Sequence, residues 1–169
     1  MTDNVYEYGS SASVKDEDST SEPSLLKRLR TQVEKKIERA TVLLEVPERP
    51  GVSIRISPNI TQHQMRAWRK NAGEDTKNGF DPTKFACSVI GHTCTGIFID
   101  GKEVTDDKGI QLTFASPEIM DMTDTSRPIP DCVRVFFGID PHVEAAALAI
   151  MEAAGFSDTV ETVDPTKTS

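Results

Sequence analysis

Residues 129–156, IPDCVRVFFGIDPHVEAAALAIMEAAGF, constrain the fold more than any other stretch of the chain. They spell a short apolar helix, a break carrying Gly138 and Pro141, and an Ala-rich second helix. Asp140 is a suitable N-cap and Pro141 fits the first helical position, where a missing N–H costs nothing. Gly155 can adopt the left-handed conformation that closes a helix in a Schellman turn, which folds Phe156 back onto Met151. Such a pair is a packing and docking module without a catalytic constellation. Residues 157–169, SDTVETVDPTKTS, have no periodicity and are expected to form a flexible acidic tail.

The chain of 169 residues fits one ordinary domain plus tails, and its 37% apolar content is low for a fully packed globule of that length. A net charge of −8 argues against a nucleic-acid partner, since phosphate neutralisation needs surplus Lys and Arg on the contact face. No apolar run approaches the roughly 18 residues of a membrane span. The beginning, MTDNVYEYGSS, lacks the basic and apolar regions of a signal peptide, so the protein is expected to stay in the compartment where it is made. The three cysteines, Cys87, Cys94 and Cys132, are odd in number and sit in apolar surroundings, as reduced thiols do.

Residues 1–23 are rich in Ser, Thr, Asp and Glu and read as a disordered acidic arm. Residues 24–40 read as a basic amphipathic helix capped by Ser21 or Ser24, with Leu25, Leu29, Val33 and Ile37 on one stripe. Its basic face is better explained by solvation and attraction to the acidic arm than by nucleic acid. The remaining span, 41–156, is expected to be mainly helical with an N-terminal β-hairpin. TVLLEVP and VSIRIS are the two strands, joined across PERPG. Thr61 and Gln64 have the capping-box spacing, and Met65, Trp68 and Ala72 share the buried face of the helix they open. Trp68 is better explained as a core anchor than as a ligand platform. Asp81-Pro82 opens a helix that buries Phe85, Val89 and Ile90, Asp100-Gly101 suits a small type I′ hairpin or a protruding loop, and Ser116-Pro117-Glu118 starts a helix with Ile119, Met120 and Met122. The expected fold class is therefore mainly α: a small helical domain with a minor β-hairpin and disordered ends.

Cys87, His92, Cys94 and Cys132 are the residues closest to a metal set, but structural zinc sites present two close ligand pairs on turns, and this spacing does not. No residue marks an activated thiol, the carboxylates lie in tails and loops, and phosphate-loop and dinucleotide fingerprints are absent. No enzyme activity, metal or cofactor is expected, and binding or assembly is the residual class.

With the elements placed, residues 46–156 resemble the tail assembly chaperones of long-tailed, siphovirus-type bacteriophages, in the short form that ends without a frameshift. The resemblance is carried by VPERPGVSIRISP, TQHQMRAWRKNAG, GFDPTKFACSVIGHTC and VRVFFGIDPHVEAAALAIMEAAGF. The charged N-terminal arm departs from the family layout. The resemblance implies a protein of the host cytoplasm, absent from the mature virion, that binds the tape-measure protein and keeps it soluble during tail-tube assembly. It further implies contacts with the major tail protein and with a frameshifted longer form of the chain. A structural virion component, of head–tail connector or tail-terminator type, is the alternative. The adaptable side chains Met120, Met122 and Met151 and the adjacent Phe136 and Phe137 are the candidate partner-binding residues, one phenylalanine pointing inward and the other towards a partner. Nothing in the sequence fixes the oligomeric state.

Overall fold

The structure is a computed structural model, and it describes residues 24–158, 160 and 162–167. The expected disordered arm, 1–23, lies outside the described residues. The chain divides into two compact units, residues 1–37 and 38–169.

In the first unit, helix α1 (Leu25–Glu34) starts at Ser24, whose hydroxyl accepts from the Lys27 N–H at 3.2 Å. The helix is shorter than the expected 24–40, because Lys35 turns extended (φ −67°, ψ 128°). None of its residues is buried, so no packed face supports a further turn.

The second unit is a mixed, helix-rich fold, so the mainly α expectation holds in its helical part and falls short in its sheet. Strands β1 (Val42–Glu45) and β2 (Val52–Ile56) form the expected hairpin. Helices α2 (Gln62–Asn71) and α3 (Pro82–Thr93) follow, then β3 (Cys94–Ile99) and β4 (Lys102–Glu103). In place of a minor hairpin stands a four-stranded antiparallel sheet in the order β1-β2-β3-β4. The pairing that enlarges it joins Ile54 to Ile97 and Val52 to Ile99, across two intervening helices. That contact is long-range, and local periodicity does not register it. Helices α4 (Pro117–Thr123), α5 (Asp131–Phe137) and α6 (Asp140–Ala153) complete the unit.

The sheet is one-sided. Ile54, Ile56 and Ile97 face the helices and are buried, while Leu43, Arg55 and Phe98 lie on the outer face. Arg55 spans that face, 2.8 Å from Glu103 and 5.3 Å from the Phe98 ring centre, and also donates to the Thr95 hydroxyl and carbonyl. Gly96 sits opposite Arg55, and a Cβ there would fall 2.8 Å from the guanidinium. A glycine inside a strand is therefore used for close approach of a side chain.

Beneath the sheet, α3 packs chiefly on α6. Phe85, Val89, Ile90, Val143, Ala147 and Ile150 are sealed in this seam, and Met65, Trp68 and Ala72 of α2 and its C-cap are buried as the periodicity predicts. The helix ends follow their sequence signals in most cases. Thr61 and Gln64 make the full capping box, and Asp81 accepts from the Thr83 and Lys84 N–H groups. Asp100 and Gly101, with φ of 50° and 79°, make the turn between β3 and β4. At the end of α6 the Phe156 N–H donates to the Met151 carbonyl and the Gly155 N–H to the Glu152 carbonyl, the Schellman pattern, with Gly155 at φ 96°.

Two caps differ from expectation. Asp140 is the first residue of α6 and not its cap. Its carboxylate accepts from Arg134 at 2.9 and 2.6 Å, and a bidentate ion pair outcompetes a capping bond. The Ser116 hydroxyl accepts from the Thr113 N–H at 2.9 Å instead of capping α4. In the tail expected to lack structure, a 3-10 turn spans Pro165–Lys167, where Asp164 accepts from both the N–H and the hydroxyl of Thr166. Those bonds hold the Asp164 carboxyl below its ordinary range.

Candidate functional site

The turn after β1, the start of β2, the end of α4 and the outer side of α5 enclose a groove of about 370 Å³ lined by Arg49, Val52, Met122, Thr123, Val135 and Phe136. Arg49 ties two of these elements together. Its guanidinium donates to the carbonyls of Phe136 (3.0 Å) and Val135 (3.2 Å), which α5 leaves without helical partners at its C-terminus. Gly138 then turns the chain away in the left-handed region, at φ 85°. Phe136 meets Phe114 edge-on, with ring centres 5.1 Å apart, and so holds a fixed orientation at the groove wall.

The groove is apolar because its polar atoms are already used. The Thr123 hydroxyl donates to the Ile119 carbonyl at 2.6 Å, back into its own helix, and Arg49 is the sole charged side chain of the lining. Met122 is 62% exposed and Val135 44%. Ile99, the strand partner of Val52, is 49% exposed. A second concavity of about 380 Å³ around the β1–β2 turn shares Arg49 and Val52 with the groove.

Of the five residues that the sequence offers for partner binding, Phe136 and Met122 come together here. Of the two phenylalanines, Phe137 is the one that points inward: it is fully buried, because α5 turns its Cys132–Val133–Phe137 side to the core, and it leaves the candidate set. Met120 and Met151 are half-buried against the core and do not line the groove. Arg49, Val52, Thr123 and Val135 were not singled out by sequence. Alternation in VSIRIS and the run VRVFF place the two valines on elements but not on this surface, and Arg49 looks like any turn cation.

A smaller cleft of about 150 Å³ lies between α3 and α5, where Asp81, Lys84, Arg127, Asp131 and Arg134 surround Cys87. Its charges largely satisfy one another, with Arg127 paired to Asp131 at 3.2 Å and Arg134 to Asp140 at 2.6 Å. Burial pushes the Cys87 thiol up to about 12, with Arg134 acting weakly against it, so the sulfur is a thiol and not a nucleophilic thiolate. Cys94 is raised to about 11 for the same reason. Three of the four members of the candidate metal set have structural partners of their own. Cys94 lies 3.4 Å from the Gly96 carbonyl, Cys132 lies 3.0 Å from the Thr125 hydroxyl, and His92 stacks on Trp68. Among the described residues no three His, Cys, Asp or Glu side chains converge as metal ligands, and no helix is long and apolar enough to cross a membrane.

No family model matches the chain, and no curated protein matches it. The crystal structure of the protein YqbN is similar over 73% of this chain and 91% of its own, at 15% identity and a TM-score of 0.47.

Proposed function

We propose that the protein is a phage tail assembly chaperone, without enzymatic activity, that binds the tape-measure protein and keeps it soluble in the host cytoplasm while the tail tube assembles. The observation that carries this reading is the apolar groove lined by the exposed Met122 and the fixed ring of Phe136, with Val52 and Val135 completing the surface. A holdase for a long, partly apolar helical client needs a modest apolar surface with adaptable side chains. It also needs net charge to keep the complex in solution, and the chain carries −8. The groove supplies the first, and it holds no acid–base pair that would imply chemistry. In this reading the major tail protein and a longer, frameshifted form of the chain are further partners, and the protein leaves before the virion matures.

The test is co-expression with the longest reading frame of the same genome, followed by affinity capture. The expected result is a soluble complex, lost in the Met122→Asp variant. An insoluble long protein beside a folded, well-expressed chaperone, with or without the frameshifted form, would overturn the reading. β1 is an edge strand of the described sheet, with Leu43 62% exposed, and this favours the alternative of a virion subunit that joins a ring through its strands. Finding the protein in purified particles would decide for that alternative.

A further inference from the structure

The turn between α2 and α3 carries a chemistry that the groove has no part in. Its sequence over residues 73–80 is GEDTKNGF, and every residue from 74 to 80 is exposed. Hydrogen bonds close it. The Thr76 hydroxyl donates to the Gly73 carbonyl at 2.7 Å, the Gly79 N–H to the Thr76 carbonyl at 3.1 Å, and the Asp81 N–H to the Ala72 carbonyl at 2.8 Å. Gly73 and Gly79 sit at φ of 95° and 79°, and a Cβ on Gly73 would fall 2.5 Å from the Gly79 carbonyl oxygen. The fit of the turn therefore depends on where Gly79 stands.

The three described asparagines differ in what surrounds their carboxamides. Asn59 has both ends engaged: its Oδ1 accepts from the Arg39 N–H at 2.9 Å, its Nδ2 donates to the Ser57 hydroxyl at 3.0 Å, and the β-branched Ile60 crowds the next peptide unit. Asn71 is the last residue of α2, and Ala72 follows it. The Asn78 carboxamide has no hydrogen-bond partner among the described residues. Gly79 follows it, in space so open that a Cβ there would meet nothing within 4 Å. Glycine gives the peptide nitrogen the freedom to approach the side chain before it.

We infer that Asn78 is a site of spontaneous modification, converting to aspartate and isoaspartate through a cyclic imide formed with Gly79. Hydroxide removes the proton of the Gly79 amide, whose nitrogen attacks Cγ of Asn78. The new N–Cγ bond forms as the Cγ–Nδ2 bond breaks, and ammonia leaves with a proton taken from water, which restores the hydroxide. A second water opens the ring. Cleavage at Cγ gives aspartate, and cleavage at the main-chain carbonyl gives isoaspartate. The sum is one water consumed and one ammonia released, with no change of oxidation state. The bond from the Gly79 N–H to Thr76 restrains the reacting nitrogen, so the reaction proceeds from opened turns, and solvent-exposed turn bonds open at little cost. Isoaspartate lengthens the main chain by a methylene, which moves the Gly79 carbonyl off Gly73 and loosens the link between α2 and α3.

The test is peptide mapping by mass spectrometry of the full-length chain, held at neutral and mildly alkaline pH beside a synthetic GEDTKNGF peptide with blocked ends. The expected result is amide-to-acid exchange at residue 78 at a rate proportional to hydroxide and within about tenfold of the peptide's, with Asn59 and Asn71 intact. Electron-based fragmentation separates the two acids. The isoaspartate form is expected to unfold at a lower urea midpoint than Asn78→Asp, which carries the new charge on a main chain of normal length. A residue 78 that stays an amide after the peptide has converted would overturn the inference, as would equal conversion at Asn59, since that is the chemistry of an unfolded chain. Equal midpoints for isoaspartate and Asn78→Asp would overturn the loosening of the turn.

Discussion

Along the α3–α6 seam, Val89, Ile90, Val143 and Ile150 are sealed from water, whereas across α4 and α5 the side chains of Met122 and Val135 leave 62% and 44% of their surface to it. Both regions carry large apolar side chains, and their helices differ in length and in small residues. Helices α3 and α6 run for 12 and 14 residues and approach closely through small residues such as Ala86 and Ala147. Helices α4 and α5 are seven residues each, and each ends on a left-handed residue, Asp124 or Gly138. Short helices bury one side and leave the other without a covering layer. The comparison teaches that apolar residues become a surface here through where helices stop.

The comparison breaks most sharply at two adjacent residues of α5. Phe137→Asp places a carboxylate in the sealed core and is expected to cost more than about 4 kcal/mol, enough to lose cooperative urea unfolding altogether. Phe136→Asp is expected to keep the helical circular dichroism and lose client capture. Unfolding of both variants would assign Phe136 to the core and remove the groove wall.

A smaller effect tests how tightly the sealed side is closed. A Cβ at Gly91 would lie 2.9 Å from three side-chain carbons of Ile129, including the branch methyl, so the neighbour cannot swing clear. Gly91→Val is expected to destabilise by about 1–3 kcal/mol through overpacking, measured as a lower urea midpoint. On the open side, Met122→Asp is expected to change stability by less than about 1 kcal/mol while abolishing client solubilisation. Equal losses of stability from these two variants would erase the distinction between the regions.

The local devices were legible in the sequence. The capping box at Thr61 and Gln64, the Asp81 cap, the Asp100-Gly101 turn and the Schellman closure at Gly155 each depend on residues a few positions apart. What escaped was non-local. The β2–β3 ladder joins segments separated by two helices, so the sheet was underestimated and the fold class shifted with it. The candidate site was legible in two residues, Phe136 and Met122. The groove itself also needs Arg49 on the α5 carbonyls, which only the folded chain brings within 3.0 Å. Asp140 shows a further limit: a good cap was diverted by Arg134, a competitor six residues away.

The smallest expected effect lies at the rim of the sealed side, where the exposed His92 covers the buried Trp68, and it has its own spectroscopic reporter. His92 stacks on Trp68, with ring centres 5.4 Å apart and planes 11° from parallel, and desolvation lowers its pKa below the usual 6.5. Between the folded and unfolded values the unfolded chain binds more protons, so stability is complete above about pH 6.5 and falls as pH drops through the folded value. An imidazolium against the indole quenches it, and Trp68 is the only tryptophan, so its emission reports this one titration. The expected curve is a loss of fluorescence with a midpoint below 6.5, absent in His92→Phe and unchanged in His142→Gln. A midpoint above 6.5 would mean that attraction between the cation and the ring outweighs burial, and the edge of the seam around Trp68 would then belong with the water-accessible side of the molecule.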